Sequence, residues 1–302
     1  FRLRVCLREI DTSVRLEVFP TARSIMKSIT ASDTLVLRFL GIVVAASLAG
    51  CSHAPTGWPK AQAGRAERIH HGYIYYMDGA GGGTAKVNYA EGVQKGFLAA
   101  GYRGGGEMFS WELGKGLMAD QDASVKYKRA EAKKVAAKIA QRAKAYPGVP
   151  LGILGFSAGT AEAIFALEYL PDDVQIDTVV LLGTSISRDY DLTKALRHVK
   201  GHVYMYTSTH DRMLGFLMPF SGTADRKFDD PGAGITGFVL PAGATVETRQ
   251  LYAKKLVPIA WTARLEKDGD YGHHFDNVKM EFIRDHVAPL FMGRQVPGQK
   301  GR

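Results

Sequence analysis

The feature of this chain that most limits its fold is a regular alternation of short apolar runs with segments of helical periodicity. The alternation starts near Ile69 and continues to Phe291. Short apolar runs bounded by turn residues are typical of buried strands. Strands that alternate with helices predict βαβ units and a parallel sheet. We therefore expect an α/β domain over residues 69–302, with a mostly parallel central sheet and helices on both faces.

The predicted elements can be stated by residue. The predicted strands are 72–77, 107–111, 150–156, 178–182, 202–207 and 257–261. The predicted helices are 88–100, 121–145, 158–170, 192–199 and 281–291. The longest helical pattern places five apolar residues on one stripe, which is the spacing of a helix packed on a sheet: Ala132, Val135, Ala136, Ile139 and Ala143.

The stretch GILGFSAGTAEAIF, residues 152–165, joins a predicted strand directly to a predicted helix. Gly155 and Gly159 stand two positions before and after Ser157, where a tight turn leaves no room for side chains. Such a turn presents the serine hydroxyl beside a helix N-terminus, whose dipole and free N–H groups favour a developing negative charge. Ser157 is therefore the predicted nucleophile, and the alternative is a glycine-rich turn with an incidental serine.

An activated serine needs a base, and the base needs an acid that orients it. Asp211 follows the predicted strand 202–207 and is the predicted acid. Asp225 is a rival acid, but it does not directly follow a strand. The segment DGDYGHHFD offers His273 and His274 as the base, and chemistry alone does not separate the two.

A third requirement is a pair of N–H groups that hold an oxyanion. The segment YIYYMDGAGGGT, residues 73–84, ends a predicted strand in a run of glycines, where Ala80 or Gly81 would supply one N–H. Ala158, directly after the serine, would supply the other. Gly79 and Gly81 could instead begin a dinucleotide fingerprint. The sequence offers no acidic residue at the expected distance, so we expect no cofactor.

The segment before residue 69 predicts export. Met26 and Lys27 open a basic stretch that reaches Arg38, and twelve apolar residues from Phe39 to Gly50 precede Cys51. This is the pattern of a signal peptide over 26–50. Residues 1–25 would then lie upstream of the true start. An uncleaved membrane helix or a buried amphipathic strand is the alternative, but twelve apolar residues are too few to span a bilayer comfortably.

Leu48-Ala49-Gly50-Cys51 resembles the lipobox of bacterial lipoproteins, in which the peptide is cut before the cysteine and the sulfur carries a diacylglycerol. Residues 51–68 would be the lipidated cysteine and a tether. Ser52 follows the cysteine, and in Gram-negative lipoproteins this favours the outer membrane. We therefore expect a cell-envelope protein with a membrane anchor, facing the periplasm.

Composition limits the remaining classes of function. Cys6 and Cys51 are the two cysteines, so the mature domain would have no disulfide and its core alone would hold the fold. The formal net charge is +9, of which residues 1–50 carry +3, so the mature chain would keep a modest basic excess of +6. The sequence shows no nucleic-acid-binding motif and no cluster of metal ligands.

Three segments carry a resemblance to a known family: GFSAGTAEAIFALEYLP, IDTVVLLGTS and FIRDHVAPLF. From Ile69 to Phe291 the chain resembles the α/β-hydrolase superfamily, and in particular a group of largely uncharacterised exported bacterial hydrolases. The resemblance implies the α/β-hydrolase fold and a serine hydrolase whose triad follows the chain order Ser, Asp, His. It favours His274 as the base, because esterase-like relatives have a small residue at the place of His273.

The resemblance implies hydrolysis of a carboxylic ester or a similar acyl bond, although superfamily membership does not fix the substrate. The alternative is a non-catalytic lipoprotein that uses a hydrolase-like fold as a binding module. Six apolar residues just after Asp211 would line an acyl pocket or, alternatively, pack on the core: Met213, Leu214, Phe216, Leu217, Met218 and Phe220.

Overall fold

The computed structural model describes residues 65–82 and 89–294, and six parallel strands in these ranges form one sheet. The order across the sheet is β2-β1-β3-β4-β5-β6. The predicted fold class is confirmed, and each predicted strand is present within a few residues. The strands are β1 (Tyr73–Met77), β2 (Gly105–Phe109), β3 (Leu151–Phe156), β4 (Ile176–Leu182), β5 (Val199–Thr207) and β6 (Leu256–Ala260).

Helices cover both faces of this sheet. Alternate residues of a strand point to opposite faces, so Tyr75 packs with one buried cluster and Tyr76 with the other. The main helices are α1 (Arg65–Arg68), α2 (Tyr89–Ala99), α3 (Leu117–Gln121), α4 (Val125–Ala145), α5 (Gly159–Glu168), α6 (Thr193–Arg197), α7 (Arg212–Ser221), α8 (Ala233–Thr236) and α9 (Val246–Lys255). Short helical segments follow: Ala263–Asp268 and Asp276–Val278, then Met280–Phe282, Ile283–Val287 with π geometry, and Ala288–Phe291.

The order of the strands determines where a ligand can reach the sheet. Strand β1 pairs with β2 on one side and with β3 on the other, so the direction of winding reverses between β1 and β3. In open parallel sheets, ligands bind beyond the carboxyl ends of the strands at such a switch point. The loops that follow Met77 and Phe156 both lie there.

The helices depart from prediction in several places. The predicted helix 121–145 begins later, at Val125, because Ser124 caps α4 by accepting a hydrogen bond from the N–H of Tyr127. Helices α7, α8 and α9, and all of α3 except Gln121, lie where no helix was predicted. The predicted helix 281–291 contains the π-helical turn Ile283–Val287.

The predictions for residues 1–25, for the signal peptide, for Cys51 and for most of the tether lie outside the described residues. Residues 65–68, at the end of the predicted tether, form helix α1. Within 65–82 and 89–294, none of the helices combines the length and apolar character that crossing a membrane requires.

Candidate active site

Ser157 occupies the turn between β3 and α5 in a strained conformation. Its φ is 52°, in the left-handed region that residues other than glycine rarely adopt. Its N–H donates to the carbonyl of Leu182 at the end of β4, at 2.9 Å. A Cβ atom at Gly159 would overlap the carbonyl oxygens of Met77 and Asp78, and one at Gly155 would lie 2.9 Å from Cα of Thr160. Both glycines are therefore required by close backbone approach.

Three side chains from distant parts of the chain meet at this turn. Nε2 of His274 lies 2.8 Å from Oγ of Ser157, and Nδ1 of His274 lies 2.6 Å from Oδ2 of Asp211. The side chains of His274 and Asp211 are 4% and 2% exposed. A carboxylate can only accept, so Nδ1 carries the proton and Nε2 is free to accept from the serine hydroxyl. This geometry suits proton transfer from Ser157 to His274.

The predicted acid, Asp211, is held in place by two contacts. Asp211 precedes α7, and its Oδ1 accepts the N–H of Leu214 at 3.0 Å, so the residue caps the helix while Oδ2 holds the imidazole. Gly183, at the end of β4, leaves space for the ring, since a Cβ atom there would lie 3.0 Å from Cε1 of His274. Its φ of 54° also favours glycine.

The two alternative residues are not part of this cluster. The side chain of His273 is 61% exposed, and its Nδ1 lies 3.4 Å from Asp276. Asp225 accepts hydrogen bonds from the N–H of Ser187 at 2.8 Å and from the hydroxyl of Thr223 at 2.6 Å. Asp225 therefore holds a loop, and His273 faces solvent.

The predicted oxyanion loop follows β1. The N–H of Gly81 donates to Oδ2 of Asp120 at 2.9 Å, so it is already occupied. The N–H groups of Ala80 and Ala158 donate to none of the described residues. Ala80 lines the cavity beside Ser157, and Ala158 directly precedes α5. Of the two residues predicted for this loop, Ala80 is the one whose N–H is available.

Burial changes the ionisation of two acids close to this loop. It raises the pKa of Asp120, against the effect of the N–H groups of Gly81 and Leu113. It also raises the pKa of Glu112 to about 8. Within the described ranges, no group of three or more His, Cys, Asp or Glu residues is arranged to hold a metal ion.

A small cavity opens beside Ser157 and His274. Three of its lining residues form an aromatic group: Tyr89 stacks on Phe275 at 5.2 Å and meets Phe156 edge-on at 5.3 Å. Three others, Leu117, Met213 and Leu217, belong to an aliphatic cluster around α7. The walls are therefore largely apolar, with Gln121 as a further polar lining residue.

Of the six apolar residues after Asp211, some line the cavity and others pack in the core. The segment forms α7, whose residues Met213 and Leu217 line the cavity, while Leu214 and Met218 are buried in the neighbouring cluster. Phe220, at the end of the helix, is 73% exposed. Pocket and core residues therefore alternate along one helix. Sequence reasoning missed the lining residues Tyr89, Leu117, Gln121 and Phe275, which come from separate elements.

Comparison with known proteins gives distant similarities. No family model matches the chain, and no curated protein matches it. Among solved structures, it is similar to a cutinase-like protein from Cryptococcus sp., with 14% identity, a TM-score of 0.36, and coverage of 82% of this chain and 100% of that one. It is also similar to a puromycin-hydrolyzing peptidase of Mycobacterium tuberculosis, with 13% identity, a TM-score of 0.40, and coverage of 78% and 36%.

A third similar structure is the agmatine ureohydrolase of Thermoplasma volcanium, with 13% identity, a TM-score of 0.28, and coverage of 78% of this chain and 96% of that one. Similarities at this level assign neither a family nor an activity to the chain. The function must therefore be inferred from the geometry of the site itself.

Proposed function

We propose that this protein is a serine hydrolase that cleaves a carboxylic ester or a similar acyl bond. One observation carries the proposal: Ser157, His274 and Asp211 are joined by contacts of 2.8 and 2.6 Å. The strained turn at Ser157 and its position at the switch point of the sheet support the same reading.

In the proposed reaction, Oγ of Ser157 attacks the carbonyl carbon of the ester while Nε2 of His274 takes the hydroxyl proton. Asp211 stabilises the imidazolium that forms. The carbonyl oxygen becomes an oxyanion, which accepts hydrogen bonds from the N–H groups of Ala80 and Ala158. The tetrahedral intermediate collapses, the C–O bond to the alcohol breaks, and His274 gives its proton to the leaving oxygen.

The acyl group is then bound to Ser157 as an ester. A water molecule gives a proton to His274 and attacks the acyl carbon, and the second tetrahedral intermediate releases the carboxylic acid. The proton returns from His274 to Oγ of Ser157. The apolar cavity walls formed by Tyr89, Phe275, Met213 and Leu217 favour an apolar acyl group in this cycle.

The direct test is the Ser157→Ala variant. We expect it to lose p-nitrophenyl butyrate hydrolysis and covalent labelling by a fluorophosphonate, with circular dichroism and thermal unfolding close to wild type. Only an activated serine reacts with the fluorophosphonate. A folded wild-type protein that is neither labelled nor hydrolytic would overturn the proposal in favour of a binding module.

We propose further that the enzyme is lipid-anchored at the outer membrane through Cys51. The signal-peptide pattern over 26–50 and the lipobox-like Leu48–Cys51 support this location. Expressed from Met26 in a Gram-negative host, wild type should incorporate labelled palmitate and sediment with outer membranes. The Cys51→Ser variant should do neither, and its normal lipid labelling would contradict the anchor.

A further inference from the structure

A single buried carboxylate connects the oxyanion loop to a second loop. Asp120 lies in α3 and is 1% exposed. Its Oδ2 accepts the N–H of Gly81 at 2.9 Å, and its Oδ1 accepts the N–H of Leu113 at 2.7 Å. Hydrogen bonds to a charged acceptor are about twice as strong as those between neutral groups. Both carboxylate oxygens of Asp120 therefore hold backbone N–H groups in place.

In the oxyanion loop after β1, one N–H group has no partner among the described residues. Gly79 donates to Oδ1 of Asp78 at 2.8 Å, Gly81 donates to Asp120, and Gly82 donates to the carbonyl of Gly79 at 3.0 Å. Ala80, between them, donates to none of the described residues and lines the cavity beside Ser157. Three of the four successive N–H groups are thus held away from the site.

These contacts restrict where the peptide group that carries the Ala80 N–H can lie. The peptide groups before and after the Gly79–Ala80 peptide each donate to a carboxylate, so buried hydrogen bonds hold the two Cα atoms that this planar peptide joins. Gly81 also packs on α3, where a Cβ atom would lie 3.0 Å from Cβ of Leu117. The φ of Gly81, 73°, is one that glycine adopts freely.

We propose that Asp120 is a positioning residue that aims the Ala80 N–H at the oxyanion formed on Ser157, an inference that rests on the proposed function. Its role is geometric, because a negative charge close to an oxyanion would by itself disfavour the reaction. The two effects predict opposite results for Asp120→Asn. Removing the charge alone would raise kcat, whereas releasing the loop lowers it.

The test compares Asp120→Asn with Asp122→Asn, whose side chain is 51% exposed and lies 3.2 Å from Arg226. For p-nitrophenyl butyrate, we expect Asp120→Asn to lower kcat about 10- to 100-fold with KM nearly unchanged, less than the full loss of an oxyanion donor. The Ki of an alkyl boronic acid, which forms a tetrahedral anion on the serine, should rise by a similar factor. Asp122→Asn should match wild type in all three constants.

A wild-type kcat in Asp120→Asn would overturn the inference, as would a lower kcat with unchanged boronate affinity. Wild type provides a second test should the variant not fold. In amide hydrogen exchange followed by NMR, Gly81 should be protected with and without the boronate, and Ala80 only with it. Equal exchange at Ala80 in both states would also overturn it. An inactive, unlabelled wild type would instead refute the proposed function.

Discussion

Oδ2 of Asp211 lies 2.6 Å from Nδ1 of His274, while Oδ1 of the same carboxylate caps α7 through the N–H of Leu214. One residue therefore orients the proposed base and begins the helix that supplies part of the cavity wall. Because Asp211 both caps α7 and holds His274, it links the position of His274 to that of the cavity residue Met213, two residues further along the chain.

Replacement of Asp211 by Asn separates the two roles. Asn caps helices about as well as Asp, so the fold should be preserved. An amide can no longer stabilise the imidazolium or enforce the Nδ1–H tautomer, and we expect kcat for p-nitrophenyl butyrate to fall on the order of 10³- to 10⁴-fold. Asp225→Asn is the matched control, since Asp225 binds Ser187 and Thr223 instead, and it should keep near-normal kcat. Equal losses in the two variants would contradict the assignment.

The adjacent histidines provide a second comparison. His274→Ala removes the group between Ser157 and Asp211, and we expect kcat to fall at least about 10³-fold. His273→Ala removes an exposed ring and should change kcat less than about threefold. Both can be measured by ester hydrolysis at pH 8. A larger loss in His273→Ala would move the role of the base to that residue.

The central fold was predictable because its signals are local. The fully buried strands β1 and β3 are continuous runs of apolar residues and glycine, and the turn at Ser157 requires glycine at fixed positions on both sides. The helices that were not predicted lack such signals. Helix α9 buries only Thr248 and Tyr252, so its apolar periodicity is weak, and α7 contains Pro219.

Other parts of the site could not be predicted from sequence, because they depend on contacts between distant residues. Asp120 and Gly81 are 39 positions apart, and the contact that occupies the Gly81 N–H leaves no local pattern. The space that Gly183 leaves for His274 depends likewise on tertiary packing. The choice between His273 and His274 needed a family resemblance, since both are adjacent and chemically identical.

The cavity walls predict how acyl length affects the rate. We expect kcat/KM for p-nitrophenyl esters to rise from acetate to about hexanoate or octanoate, because each buried methylene stabilises the bound ester by about 0.8 kcal/mol. Leu217→Ala and Met213→Ala enlarge the cavity and should move the optimum to longer chains. Phe220→Ala, on the same helix but exposed, should leave the profile unchanged. A preference for acetate in all four proteins would exclude this wall as the acyl site.

Glu162 is a buried acid in α5, close in sequence to the proposed nucleophile. It is fully buried, and neither carboxylate oxygen has a hydrogen-bond partner among the described residues. Burial raises its pKa well above the ordinary value, although the charge of Lys128 opposes the shift. The folded state therefore favours the protonated acid more than the unfolded state does.

The pH dependence follows from this direction of shift. A raised pKa contributes stability that is complete below the unfolded pKa of about 4.5 and is lost as the pH rises through the folded pKa. Gln is uncharged and nearly the same shape, so Glu162→Gln avoids that loss. In urea unfolding at pH 5 and pH 8, we expect the free energy of unfolding of the variant to rise relative to that of wild type as the pH increases.

Glu168→Gln is the matched control for this prediction. Glu168 lies in the same helix, but its carboxylate accepts hydrogen bonds from Arg129 at 2.8 Å and from the hydroxyl of Tyr190 at 2.6 Å. Its replacement removes a charged partner from Arg129 and should destabilise the protein at both pH values. If Glu162→Gln is also destabilised at pH 8, the charge of Glu162 stabilises Lys128, whose Nζ otherwise donates to the carbonyls of Gln121 and Ala224. That result would contradict a protonated Glu162 in the folded protein.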